Sequence, residues 1–427
     1  MSATARHAAE LIRIDTTNWG GGRSQGERVA AEYLAQALDE LGLDPLIIES
    51  APTRANVIAR VPGREPQLPA LVVHGHLDVV PAEAGDWTVD PFAGAVRDGM
   101  LWGRGAVDMK DMDAMILTAL QELVGSGQGP RRPLIVAFFA DEENGGVYGS
   151  QFLARERPEL FAGASEAISE VGGYSIAVGD RRAYLLQTGE KAYAWIRLVV
   201  RGPAAHGSRM VQRNAVLELA QAVSRIGAHR WPVRLTPTTS ELLAGLARLS
   251  GAAGVDDVDA LVASTGKAAS FLSGSLRNTA NATGLTAGYK HNVIPARAEA
   301  TMDVRIIPGE EEAVLAELAE LAGPGVEIVV DNSDIGLEQP TAGPIIDAMA
   351  AALRREDPAA EVLPYLLTAG TDNKALASLG IAGYGFVPLL LPPELDFPAL
   401  FHGVDERVPL AALDFGHRVL TGFLRSY

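Results

Sequence analysis

Two apolar runs, each ending abruptly in a knot of polar residues, constrain this chain more than any other feature. Residues 71–73 (Leu-Val-Val) lead straight into His74-Gly75-His76-Leu77-Asp78, and 134–140 (Leu-Ile-Val-Ala-Phe-Phe-Ala) lead into Asp141-Glu142-Glu143-Asn144-Gly145-Gly146. Both runs are strand-length and read as buried strands. Around them the first 190 residues alternate between the two periodicities. A helical stripe over 28–41 carries Val29, Tyr33, Leu34, Ala37, Leu38 and Leu41, and Gly42 stops it. Short strands are predicted over 46–48 and 56–61, and a helix over 109–124. Strands alternating with helices predict an α/β layer with a mostly parallel central sheet, whose ligand sites lie at the carboxyl ends of strands. Both polar knots stand at such ends.

The pattern changes near Gly189. A strand is predicted over 194–200 and a helix over 214–226, followed by a loop-rich stretch with helical islands over 232–277. Strands over 285–289 and 298–307, a helix over 311–321 and a strand over 326–330 complete a unit in βα…ββαβ order. That order predicts an α+β sandwich of ordinary domain size. After Pro340 a helix over 345–354 and further short strands resume. Candidate ligands lie between 76 and 170 and again at 402, so the C-terminal segment has to return to the first unit. The expected organisation is therefore a catalytic domain from 1–189 and 333–427, with a lid inserted at 190–332 and two connections able to act as hinges.

Composition narrows the chemistry. Acids outnumber bases 53 to 36 in 427 residues, a formal charge of −17, which argues against a nucleic-acid partner. Cysteine is absent, so any metal must be held by His, Asp or Glu, with eight histidines to draw on. The first residues lack the apolar core of a signal peptide, and no apolar run approaches a membrane span. The expectation is a cytoplasmic protein with no membrane partner.

In an HxD pair on a strand, the two side chains share a side, so the imidazole can bind a metal while the carboxylate supports its other ring nitrogen. In Gly103-Arg104-Gly105-Ala106-Val107-Asp108-Met109-Lys110, Asp108 stands where a dinucleotide fingerprint would have its third glycine. The better reading presents Asp108 at a helix start, where its two oxygens can bridge two cations. The 141–143 acids are either a solvated turn or a site neutralised by metal or protons, and their place after a core strand favours the site. Glu170, before Gly172-Gly173, and His402 complete a set of imidazoles and carboxylates suited to two divalent ions such as zinc. No HExxH motif is present.

The chain resembles the M20 family of di-zinc metallopeptidases, which includes glutamate carboxypeptidase, aminoacylase, acetylornithine deacetylase and succinyl-diaminopimelate desuccinylase. Seven segments carry the resemblance in family order: GHLDVVPA (75–82), Trp87 with Asp90 to Phe92, GRGAVDMK (103–110), DEENGG (141–146), AHGS (205–208), NVIPARAEATMDVR (292–305) and HGVDER (402–407). The resemblance implies a di-zinc catalytic domain of the phosphorylase/hydrolase-like kind with an α+β lid. It implies His76 and Glu170 on one zinc, His402 and Glu143 on the other, and Asp108 between them with a cis peptide to Met109. Asp78 would orient His76, and Glu142 would be the general base. Two Zn²⁺ per subunit are implied, with Co²⁺ or Mn²⁺ as substitutes. His206, Asn292, Arg305, Gly370 and Lys374 would contact substrate, His206 reaching across a homodimer formed through the lid.

The resemblance further implies cleavage of a peptide or N-acyl amide bond beside a free carboxylate, as in a carboxypeptidase, dipeptidase or aminoacylase. The alternatives are a small-metabolite deacylase of the desuccinylase or deacetylase kind, and a metal-binding pseudo-enzyme. The extended 232–277 stretch is expected to enlarge the lid and leave a roomy pocket. Two segments depart from the family pattern: Asp111 replaces a glycine, and Ala369-Gly370-Thr371-Asp372-Asn373-Lys374 replaces GGTDAR, leaving a lysine without the planar fork of arginine.

Overall fold

The computed structural model describes residues 1–252 and 254–427. Its largest sheet has ten strands. Across it run Ser175–Val178, Arg181–Glu190, Ala382–Gly385, Ala164–Ser169, Ala70–His76, Leu134–Phe139, Arg54–Val61 and Leu46–Ala51. Leu337–Glu338 and Glu361–Leu367 also pair with Arg181–Glu190. The expected parallel pairing holds among the four inner strands, 382–385, 164–169, 70–76 and 134–139. On the flanks, tight connections join 46–51 to 54–61 and 175–178 to 181–190 as antiparallel hairpins, while Glu361–Leu367 lies parallel to Arg181–Glu190. The sheet is therefore mixed.

The two apolar runs are buried along their whole length. Successive side chains of a strand point to opposite faces, and here each face has its own apolar layer. Leu71, Val73, Leu134, Val136 and Phe138 enter one cluster, with helices Ala3–Arg13, Lys110–Gly125 and Leu410–Ser426. Ala70, Val72, Ile135, Ala137 and Phe139 enter the other, beneath Leu153, Phe161 and Leu376. A strand covered on both faces cannot alternate polar with apolar, which is why these segments read as unbroken apolar runs.

A second, wholly antiparallel sheet has the order Thr279–Ala287, Arg297–Ile306, Ala192–Arg201, Val326–Asp334. Alternate residues Ala194, Ile196, Leu198 and Val200 pack with Ala298, Ala300, Met302 and Val304 beneath helices Ala215–Ala228 and Glu311–Ala322. The opposite face carries Trp195 and the Arg197 pairs with Asp331 and Glu299. This is the expected two-layer unit in the expected element order.

The stretch 232–277 differs from expectation. It forms helices Pro237–Ser250, Val258–Ala263 and Ala269–Ser275. Leu242, Leu243, Leu246, Leu249, Leu272 and Leu276 all join the core of the large sheet and none joins that of the small one. The cause is a leucine stripe at helical spacing that lies on strand Glu361–Leu367. Gly245 lets the helix approach so closely that a Cβ there would stand 2.2 Å from Leu363. The segment leaves the small sheet, crosses to the large one and returns, so it does not enlarge the lid.

Candidate metal centre

Three inner-strand ends and one distant loop converge on Asp108. Strand Ala70–His76 ends on His76, and strand Ala164–Ser169 is followed by Glu170. The turn after strand Leu134–Phe139 carries Glu142 and Glu143, and His402 comes from a loop just before strand Arg407–Pro409. His76, Asp108 and Glu170 form one group of ligand atoms lying within 4.8 Å of one another, and Asp108, Glu143 and His402 form a second. Asp108 belongs to both. Its Oδ1 is 3.0 Å from His76 Nε2 and its Oδ2 is 3.3 Å from His402 Nε2. Glu170 Oε2 stands 3.5 Å from His76 Nε2, and Glu143 Oε2 stands 3.0 Å from His402 Nε2. The Asp108–Met109 peptide is cis.

Glu406 holds the loop that presents Asp108. Its buried carboxylate accepts the Val107 and Asp108 amides at 2.7 and 3.2 Å, the Gly105 amide at 3.1 Å, and Arg104 Nη1 at 2.7 Å. The same short segment thus supplies His402 and fastens the loop carrying its neighbour.

Asp78 works differently from its expected role. His76 Nδ1 lies 3.0 Å from the main-chain carbonyl of Asp78 and 3.7 Å from its carboxylate. A carbonyl only accepts, so it fixes the proton on Nδ1 and leaves Nε2 for the ligand group. The Asp78 carboxylate accepts instead from the Glu142 and Glu143 amides, at 3.0 and 3.3 Å, and from Asn18 Nδ2 at 2.8 Å. It fastens the acidic turn.

The electrostatics reflect the crowding of charges out of water. Burial alone would lower the His76 pKa, but Glu170, Asp108 and Glu142 overturn this and raise it well above the ordinary value. His402 is raised to about 10 by its bonds to Asp108 and Glu143. Burial pushes Glu170 up to about 8, while the two imidazoles outweigh burial at Asp108 and hold it well below the carboxylate range. Burial and the neighbouring Glu170 raise Glu142 well above its ordinary value. One buried oxygen, Glu143 Oε1, has no hydrogen-bond partner among the described residues. Each group offers one imidazole nitrogen and two carboxylate oxygens, with no thiolate and a shared carboxylate, which fits a pair of borderline divalent cations.

The other candidates belong to neither group. His206 is exposed on a short strand paired with Val293, and among the described residues its side chain bonds Ser208, Nδ1 lying 2.8 Å from Ser208 Oγ. Asn292 is exposed, and its carbonyl accepts the Gly207 amide. Arg305 places its fork on Asp303 at 2.7 and 3.0 Å. Lys374 is buried, donates to the Lys191 carbonyl at 2.7 Å and packs against Gly370. Arg305 and Lys374 both lie over the ring of Tyr193, at 5.7 and 5.2 Å, and Tyr193 was no sequence candidate. His74 is a buried structural residue, its Nε2 2.9 Å from Asn373 Oδ1, and burial lowers its pKa to about 4. Asp111 is fully buried on the first turn of its helix, and burial raises its pKa well above the ordinary value.

The model of peptidase family M20/M25/M40 matches residues 72–426. The chain belongs to this family. It is a hydrolytic enzyme with the M20 fold. Aminoacylase-1 of Pongo abelii is 28% identical over 410 residues, covering 92% of this chain and 89% of that protein. The M20 metallo-carboxypeptidase Sso-CP2 of Sulfolobus solfataricus superimposes with a TM-score of 0.75 at 18% identity, over 100% of this chain and 99% of that one. YXEP of Bacillus subtilis, described as a dinuclear metal binding peptidase from the M20 family, gives 0.59 at 16% identity over 99% and 98%. None of the described helices of this family member is long and apolar enough to cross a membrane.

Proposed function

We propose that this M20 enzyme is a two-metal amidohydrolase that cleaves an N-acyl amino acid or short peptide next to a free carboxylate. The observation that carries the reading is the pair of ligand groups meeting on the two oxygens of Asp108, with Glu142 Oε2 only 3.9 Å from His76 Nε2. His76 and Glu170 would hold one ion, His402 and Glu143 the other, and Asp108 both. Zinc suits the donor set, and Co²⁺ or Mn²⁺ would substitute. When bound, two such cations supply Lewis-acid polarisation of a water and of the scissile carbonyl.

The chain's own residues do the rest. Glu142 lies beside the ligand groups and belongs to neither, and unlike Asp78 its Oε2 faces His76 Nε2, so it is free to take a proton at Oε2 from the attacking water and return it to the departing nitrogen. Asp78 keeps the Glu142 amide in place. Lys374 and Arg305, gathered on Tyr193, would receive the substrate carboxylate, and Arg305 would exchange its Asp303 partner for it. His206 and Asn292, on the small sheet's unit, would complete the site in a closed form or from a second subunit. Similarity to aminoacylase-1 over nine-tenths of the chain favours N-acyl amino acids over succinylated small metabolites. Metal content measured on the sample that is assayed against N-acyl amino acids, dipeptides and succinyl-diaminopimelate tests the reading. Two metal equivalents with turnover of the first class support it, and full activity after complete chelation contradicts it.

A further inference from the structure

Behind the turn that carries Glu142 and Glu143 lies a buried polar network that the proposed chemistry leaves unused. Glu27, Asp78 and Asp141 are fully buried, and Asn18 and Arg54 nearly so. Arg54 Nε and Nη2 donate to the two oxygens of Glu27 at 2.9 and 2.7 Å, and Nη2 reaches Asp141 Oδ1 at 2.9 Å. Asn18 Nδ2 bridges Asp141 Oδ1 and Asp78 Oδ2 at 2.9 and 2.8 Å. The Tyr148 amide closes the far side of the turn onto Asp141 Oδ2 at 3.1 Å. Among the described residues, Arg54 is the one arginine or lysine paired with any of these three carboxylates, and His76 Nδ1 lies 3.7 Å from that of Asp78.

The backbone gives the network its purpose. Asp141 has φ +70°, the left-handed region, which is uncommon for residues with a side chain and which aspartate enters more readily than most, so its side-chain bonds decide how firmly the turn is kept. At that residue the chain leaves strand Leu134–Phe139 and turns so that the next two amides point at Asp78. The same turn sends Glu142 and Glu143 toward His76 and His402. Both oxygens of Asp141 are occupied, one by Arg54 and Asn18, the other by Tyr148. Removing the cation would leave three adjacent buried carboxylates to repel one another and release that grip.

We propose that Arg54 is a positioning residue: by holding Asp141 in its left-handed conformation it sets where Glu142 and Glu143 stand. Its effect on turnover rests on the hydrolase reading, whereas its effect on the backbone does not. Hydrogen exchange on the full chain reads the backbone part without metal or substrate. Arg54→Gln speeds exchange of the Glu142, Glu143 and Tyr148 amides by about tenfold or more, while strand Ala70–His76 keeps its protection. In the metal-loaded enzyme the same variant loses about 10- to 100-fold in kcat with KM within about twofold. Arg54→Lys keeps the charge but loses the fork, so both effects are smaller. Should Arg54→Gln fail to fold, Arg54→Lys carries the test by the same readouts. Wild-type exchange at residues 142–148 in whichever variant folds overturns the proposal. Faster exchange in a protein whose wild type hydrolyses no amide supports it and retires the hydrolase reading alone.

Discussion

Asp108 Oδ2 lies 3.3 Å from His402 Nε2, although more than half of the chain separates the two residues in sequence. The same carboxylate offers its other oxygen to His76. One side chain therefore ties the two ligand groups together, and its loss differs from the loss of either histidine.

Replacing Asp108 by Ala is expected to abolish binding of both metal equivalents. His402→Ala removes one and leaves the group of His76 and Glu170 able to bind. Elemental analysis of the purified variants, with circular dichroism to verify folding, checks this. Equal metal loss in the two variants contradicts the shared role of Asp108.

Metal affinity is expected to rise with pH. His402 is held protonated up to about pH 10 by Asp108 and Glu143, and a metal binds only its neutral form. Below that pKa each metal bound at this group must displace a proton, so protons compete and the apparent affinity climbs as pH increases. A competition titration at pH values about one unit apart near neutrality should show a tightening of about tenfold for one proton released. A flat or falling profile contradicts the assignment of His402.

Lys374 is expected to act on substrate binding. Lys374→Ala raises KM for substrates with a free carboxylate by about tenfold, roughly the loss of one charge-assisted bond. The corresponding carboxamides, poor substrates for the wild type, are little affected. Equal effects on acid and amide would remove the carboxylate role of the Tyr193 cluster.

The placement of 237–250 on the large sheet has its own signature. Leu246 is fully buried in that core, so Leu246→Ala should cost about 2–5 kcal/mol. Hydrogen exchange should show the loss spreading to strand Glu361–Leu367 and sparing strand Ala192–Arg201. The opposite distribution would return the segment to the small unit.

Much of the site was legible in sequence because strong local signals marked it. Unbroken apolar runs located two of the four inner strands, 70–76 and 134–139, and the place of the acids directly after a core strand favoured a site over a solvated turn. The shared carboxylate and the cis bond at Asp108 were implied by the resemblance to M20 enzymes and recur in the structure. The Asp78 arrangement was not legible, because a main-chain carbonyl leaves no trace in side-chain spacing. Asn18, Glu27, Arg54 and Tyr193 were missed for a related reason. Each is an isolated residue at a loop or strand edge, and only the folded sheet brings them within bonding distance. The stripe Leu242, Leu243, Leu246, Leu249 declares a helix but not the surface it covers, which is how 232–277 came to be expected on the wrong unit.

The central claim is that Glu142 moves the proton while its neighbours hold the metals. Turnover and metal content of Glu142→Gln, measured on one sample, test it most directly. The expected result is two metal equivalents, as in the wild type, with kcat lower by about 10²- to 10⁴-fold. Two equivalents with undiminished kcat would contradict it.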